Sequence, residues 1–181
     1  GVSDVSHVCV LLQGSGTFAV EAAITSLIPR DSRVLVLVNG AYGHRISRVC
    51  EYHGRKYISL ETDENVPPDV ANLSAFLASN TDITHVIAVH CETTSGILNP
   101  IAEIAKAVQD HECHLIIDAM SSFGALTLSV QDVPCLAIVA SSNKCLEGVP
   151  GIGLVVAERG ALQKAKGNAN SLALDLHAQW A

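Results

Sequence analysis

The chain has 181 residues, a formal net charge of -7, 49 % hydrophobic and 16 % charged residues, and a mean hydropathy of +0.34. Its length suits one domain with a substantial core. The acidic balance argues against nucleic acid or an anionic membrane surface as the main partner, while leaving room for a local anion site built from backbone amides. The longest apolar runs fall far short of a membrane span. The opening Gly1-Val2-Ser3-Asp4 has no basic stretch followed by an apolar one, so no leader is read there. Without an initiating methionine, the chain is expected to be processed or to be a piece of something longer. Cys9, Cys50, Cys91, Cys113, Cys135 and Cys145 form no C-x-x-C pair and read as reduced, mostly buried, intracellular thiols.

In chain order, residues 7–12 read as a short strand and Gln13-Gly14-Ser15-Gly16-Thr17 as a turn. Helical spacing covers 18–28 and stops at Pro29. The continuous apolar run 34–38 predicts a central strand. Asn39-Gly40-Ala41-Tyr42-Gly43 reads as a loop before a helix over 44–53 that ends at Gly54. A strand follows at 56–60. Asp69 can cap a helix reaching about residue 79, and 85–90 is another strand. Residues 91–99 read as a polar loop, with Pro100 at the first turn of a helix to about residue 111. Strands are expected at 114–118, 136–140 and 152–157, with 121–130 a loop or short helix. A helix begins near 160–166, and 171–180 carries a Leu-Ala-Leu-Asp-Leu pattern with no evident partner. Strands alternate with helices, so the economical fold is a three-layer α/β/α domain around a mostly parallel sheet.

Function-bearing residues cluster at the carboxyl ends of the strands, where α/β sheets bind ligands. Lys144, in Ser141-Ser142-Asn143-Lys144-Cys145, follows a buried strand. A lysine there is expected to be partly desolvated, which suits it to Schiff-base chemistry; alone, it would read as a solvated loop lysine. Cys145 beside it reads as a small packing residue. Asp118 ends another buried strand and needs a partner for its charge, such as a pyridinium nitrogen; a helix cap or a metal ligand is the other reading. No second carboxylate or histidine at ligand spacing is evident, and no metal site is expected. Gly14-Ser15-Gly16-Thr17 can present amides and hydroxyls to a phosphate. Gly14-x-Gly16-x-x-Ala19 also matches a dinucleotide fingerprint, but the acidic residue expected after the second strand is replaced by Asn39. Tyr42 is an aromatic flanked by glycine in a chain with 4 % aromatics, and could stack on a flat ring. His90-Cys91-Glu92-Thr93-Thr94-Ser95 offers hydroxyls, though such clusters usually only shape loops; His90 reads as a core histidine. One ligand uses phosphate amides, aromatic, hydroxyls, carboxylate and lysine together: pyridoxal 5'-phosphate held as a Schiff base.

The segments Gln13 through Glu21, Asn39-Gly40-Ala41-Tyr42-Gly43, His90-Cys91-Glu92-Thr93-Thr94, Asp118-Ala119-Met120-Ser121-Ser122-Phe123-Gly124 and Ser142 through Gly151 resemble the 2-aminoethylphosphonate–pyruvate transaminases. Leu172 through Leu176 with Gln179-Trp180 looks similar as well. These are fold-type I, class V aminotransferases. The resemblance implies that Lys144 holds the cofactor and moves the proton, and that Asp118 pairs with the pyridine nitrogen. It implies that Tyr42 stacks on the ring, that Ser15, Gly16 and Thr17 bind the phosphate, that Thr93 bonds near the ring oxygen, and that Asn143 helps hold the cofactor. The implied reaction takes 2-aminoethylphosphonate and pyruvate to phosphonoacetaldehyde and alanine, in phosphonate degradation, by a cytoplasmic homodimer with no nucleic acid or membrane partner. Residues 1–181 would be the cofactor-binding large domain, without the family's N-terminal segment and its small domain, whose arginine takes the substrate acid group. The alternatives are a related alanine–glyoxylate or serine–pyruvate enzyme, or a catalytically incomplete cofactor-binding fragment.

Overall fold

The computed structural model describes residues 6–181, so the reading made at the opening four residues lies outside the described part. In chain order the elements are β1 (His7–Gln13), α1 (Gly16–Leu27), β2 (Arg33–Val38), α2 (Ala41–Tyr52), β3 (Lys56–Glu61), α3 (Val70–Ser79), β4 (Ile83–Val89), β5 (Cys91–Glu92), β6 (Ile97–Leu98), α4 (Ile101–Asp110), β7 (His114–Asp118), β8 (Ala137–Ser141), β9 (Ile152–Glu158), α5 (Arg159–Lys164) and α6 (Leu176–Trp180).

Seven strands form one sheet in the order β1-β9-β8-β7-β4-β2-β3. Strands β2, β3, β4, β7 and β8 pair in parallel, and β9 runs against both its neighbours. The sheet is therefore mostly parallel, as expected. The interior strands are unbroken apolar runs because both faces are covered. One face packs against α1, α2, α5 and α6 through Ile24, Ile28, Val36, Ile46 and Leu162. The other packs against α3 and α4 through Leu35, Leu73, Ile104 and Ile117. This is the three-layer α/β/α arrangement.

Several local expectations change. The helix α2 starts at Ala41, so Tyr42 belongs to its first turn rather than to a loop. Gly43 is what allows this start, since a Cβ there would lie 2.9 Å from the Val38 Cα. The 91–99 segment holds the small antiparallel hairpin β5–β6. Residues 121–130 contain turns and a single bridge from Phe123 to Leu126, and no helix. The 171–180 segment does have a partner. Ser26, near the end of α1, donates its hydroxyl to the Leu174 carbonyl at 3.1 Å and accepts from the Leu176 amide at 3.0 Å, while Leu176 is fully buried. Asp69 caps α3 as expected, accepting from the Ala71 and Asn72 amides at 2.9 and 3.4 Å.

The strand order also removes the dinucleotide reading. The strand before the glycine turn, β1, is an edge strand paired only with antiparallel β9, five places away from β2. A dinucleotide-binding half needs those two strands side by side and parallel.

Candidate active site

The carboxyl ends of β7 and β8 and the amino ends of α1 and α2 enclose a pocket of about 190 Å³. Among its lining residues are Ser15, Gly16, Thr17, Tyr42, Asp118, Asn143 and Lys144. Seven of the eight residues singled out from the sequence therefore meet at one place. Thr93 is not in the lining. It stands exposed on the β5–β6 turn, with its hydroxyl 2.6 Å from that of Ser121.

The start of α1 supplies an anion cradle. Gly14 has φ +133°, a conformation that suits glycine, and its amide donates to the Gly151 carbonyl at 2.8 Å. That bond ties the turn to the loop carrying Lys144. Ser15 is the N-cap, yet its hydroxyl makes no capping bond. The first amides of a helix have no internal acceptor and carry its positive end. At Gly16 a Cβ would run into the Met120 sulfur, so the α1 start packs directly on the Met120 side chain and a larger residue would have to displace it.

Asp118 forms that floor and is 4 % exposed. One of its oxygens accepts from the Met120 amide at 3.0 Å, and no other donor among the described residues reaches the carboxylate. Burial pushes its carboxyl up to about 6, with the negative charge of Glu92 adding to the effect and the Met120 amide and Lys144 opposing it. A buried carboxylate in this state is short of one cationic or N–H partner. Behind it, Ser122 is buried, donating to the Ala119 carbonyl at 3.3 Å and meeting His90 Nδ1 at 2.9 Å. Burial pushes the His90 imidazole down, which suits a core residue rather than an acid or base.

Lys144 sits on a loop that is itself well tied. The Ser142 hydroxyl donates to the Val149 carbonyl at 2.6 Å, the Gly148 amide to the Ser142 carbonyl at 2.7 Å, and the Glu147 amide to the Lys144 carbonyl at 2.9 Å. Cys145 Sγ donates to the Ser121 carbonyl at 3.4 Å, so it packs and braces, as expected. The Lys144 side chain is exposed, which corrects the expectation of partial desolvation, and its ammonium meets no hydrogen-bonding partner among the described residues. Exposure follows from position: the strand ends at Ser141, and the loop turns outward over the pocket mouth.

Sequence reasoning missed Arg45 and Glu92. Tyr42, Arg45 and Ile46 share one face of α2 at helical spacing and all line the pocket. Starting the helix at residue 44 hides that face. Glu92 is completely buried although it lies in a polar stretch, and its charge acts on Asp118. No sequence signal distinguishes it from a solvated loop glutamate.

The model describing class-V aminotransferases matches residues 4–171. The chain belongs to the class-V aminotransferase family. A protein of Pseudomonas putida named 2-aminoethylphosphonate–pyruvate transaminase is 57 % identical over 176 residues, covering 97 % of this chain and 48 % of that protein. The chain thus spans about half the length of the curated relatives it matches. The structure of pyridoxamine–pyruvate aminotransferase from Mesorhizobium loti superposes with a TM-score of 0.83 at 30 % identity, over 93 % of this chain and 46 % of that one. Ureidoglycine–glyoxylate aminotransferase from Bacillus subtilis shares the fold, with a TM-score of 0.87 at 21 % identity over 93 % of this chain and 44 % of that one. No helix among the described residues is long and apolar enough to cross a membrane.

Proposed function

We propose that the full-length protein is a pyridoxal 5'-phosphate-dependent transaminase that moves the amino group of 2-aminoethylphosphonate to pyruvate, giving phosphonoacetaldehyde and alanine. One observation carries the cofactor half: a single pocket gathers Lys144, Asp118, Tyr42 and the α1 start at Ser15, Gly16 and Thr17. Its residues fit the group. The helix start offers amides and two hydroxyls to a phosphate. Among the described residues Asp118 accepts from one donor only, and it lines the pocket, as a carboxylate facing a protonated ring nitrogen would before that ring arrives. Tyr42 offers an aromatic face, and Lys144 a free primary amine for an aldehyde. Asn143 lines the pocket beside Lys144, while Thr93, held by Ser121, stands outside the lining.

When bound, the cofactor supplies an electron sink for the substrate carbon. The chain supplies the rest. Asp118 would hold the ring nitrogen's proton in place. Lys144 takes and returns a proton at Nζ. Tyr42 would cover the ring and keep water from it. Support for the substrate half is the name carried by relatives of 57 % identity. The reading includes a cytoplasmic homodimer. All six cysteines are free, which suits a reducing compartment. Exposed apolar residues near the site, Phe18, Leu146 and Val149, suit a covering subunit.

The test uses full-length protein. Adding pyridoxal 5'-phosphate is expected to produce an absorbance band near the visible edge, lost in Lys144→Ala, and borohydride is expected to trap the adduct on Lys144. Absence of a trapped adduct overturns the cofactor reading. A donor screen in which alanine or serine outperforms 2-aminoethylphosphonate overturns the substrate reading alone.

A further inference from the structure

Glu92 is a buried acid with no part in the chemistry above. Its side chain has no exposed surface. Both of its hydrogen bonds fall on one oxygen, Oε1, which accepts the Thr94 hydroxyl at 2.8 Å and the Thr94 amide at 3.3 Å. The other oxygen, Oε2, is closed off from solvent and has no donor. The carboxylate presses against Gly40, where a Cβ would collide with it. Gly40 is the N-cap of α2 and offers no side-chain cap of its own. The same Thr94 hydroxyl that donates to Glu92 accepts from the Ala41 amide, at 3.4 Å. Glu92, Thr94 and Ala41 thus form a chain of contacts from the β5–β6 hairpin to the first turn of α2. A negative group at that end is favoured by the helix dipole. The turn it braces carries Tyr42, with Arg45 one step further on.

We propose that Glu92 is a positioning residue for this pocket, seating the start of α2 so that Tyr42 and Arg45 face the ligand, and adding a negative field beneath Asp118. The field acts in one direction. Two carboxylates close together hold a cation between Asp118 and the ligand more firmly than one does alone. Burial is the main cause that raises the Asp118 carboxyl, and the charge of Glu92 adds to it in the same direction. The inference rests on the transaminase reading only for the identity of the ligand.

The geometry provides its own test. Glu92→Gln keeps an oxygen for both Thr94 bonds and replaces the partnerless Oε2 with an amide, so it removes charge while retaining the brace. Glu92→Asp keeps the charge but is too short to reach Thr94 from the same backbone. In full-length protein freed of cofactor, carbon-13 NMR should place the Asp118 titration near 6. Glu92→Gln should lower that midpoint by roughly half a pH unit. Glu92→Asp should leave it near the wild-type value while changing the circular dichroism of bound pyridoxal 5'-phosphate. Both variants should weaken cofactor binding, by roughly 3- to 10-fold. An Asp118 midpoint and a cofactor affinity unchanged in folded Glu92→Gln overturn the proposal, as do identical midpoint shifts in the two variants. If Glu92→Gln does not fold, Thr94→Val decides: a several-fold loss of cofactor affinity supports the brace, and unchanged affinity overturns it. Wild-type protein that takes up no pyridoxal 5'-phosphate sinks the transaminase reading instead, and the NMR titration of ligand-free protein still decides the role of Glu92.

Discussion

The two ends of the sheet carry polar residues of similar kinds and treat them differently. At the amino ends of the parallel strands, partners are found locally. His7 Nε2 lies 3.1 Å from the Cys135 carbonyl, Arg33 grips Asp82 at 2.7 and 3.0 Å, His85 Nδ1 lies 2.8 Å from the Thr84 hydroxyl, and Cys113 donates to the Ile83 carbonyl at 3.2 Å. At the carboxyl ends, bonding capacity is left over. Ser15 caps nothing, Asp118 has one donor, Glu92 Oε2 has none, and Lys144 has no hydrogen-bonding partner among the described residues. Buried polar groups left short cost stability, on the order of 1–3 kcal/mol each, and a fold tolerates that where a ligand supplies the missing partner. Unspent hydrogen-bonding capacity is concentrated at the functional edge, where Asp118, Glu92 and Lys144 share it; at the other edge, among the described residues, it is confined to Arg55 Nε beside β3, whose guanidinium is otherwise held by the Thr25 and Asn168 carbonyls.

That contrast can be broken in four ways. The largest effect belongs to Lys144→Ala, which should cut transamination by full-length protein at least ~10³-fold, because the amine serves as both attachment point and proton carrier. A loss below tenfold would move the chemistry away from this edge.

Next comes Asp118→Asn in ligand-free protein. The folded carboxyl is raised to about 6, above its ordinary 3.8, so ionised Asp118 opposes folding above pH 6 and the penalty fades as pH falls through 6 towards 3.8. The variant should be more stable than wild type by on the order of 3 kcal/mol at pH 7.5, with the gap closed near pH 4. Urea denaturation at both pH values measures this. A gap that does not change with pH would mean the carboxylate is already paired.

The opposite edge should show the reverse sign. Burial, aided by the charge of His114, pushes His85 down to about 4 from its ordinary 6.5. Its contribution is present above pH 6.5 and lost as pH falls through 4, again on the order of 3 kcal/mol at the limit. His85→Gln should therefore shift acid unfolding to lower pH and leave turnover unchanged. A fall in turnover would link the two edges. The smallest effect is Asp69→Ala, which removes the cap of α3 on the far face and should cost about 1 kcal/mol without touching cofactor affinity.

Much of this was legible in the sequence because the local signals are physical. Runs such as Val34 through Val38 and Leu136 through Ala140 can only be strands covered on both faces, and the polar residues that follow must lie at one edge of a parallel sheet. Asp118, Tyr42, Lys144 and the Ser15 turn were found that way. Four features were not legible. The reversal of β9 leaves no mark, because a doubly covered strand reads the same in either direction. The partner of 171–180 is Ser26, 148 residues away from Leu174, beyond any local pattern. Glu92 looks like a loop residue until the Gly40 turn closes over it, and the early start of α2 is hidden by the glycines that make it possible.

The pairing of β1 with β9 has a consequence for how the chain comes into being. His7 lies opposite Glu158 and Gln13 opposite Ile152, so one margin of the sheet joins residues more than a hundred positions apart. On a ribosome, β8 is made before the strand that shields it. Until residues 152–158 emerge, β8 presents a bare edge that is apolar from Ala137 through Ala140, the kind of surface that recruits other nascent chains. The anion cradle at Ser15 waits as well, since Gly14 is anchored by Gly151. Ribosome-stalled chains from which residues 137–141 have emerged but 152–158 have not should therefore depend on a chaperone, and those long enough to expose residue 158 should shed that dependence as the margin closes.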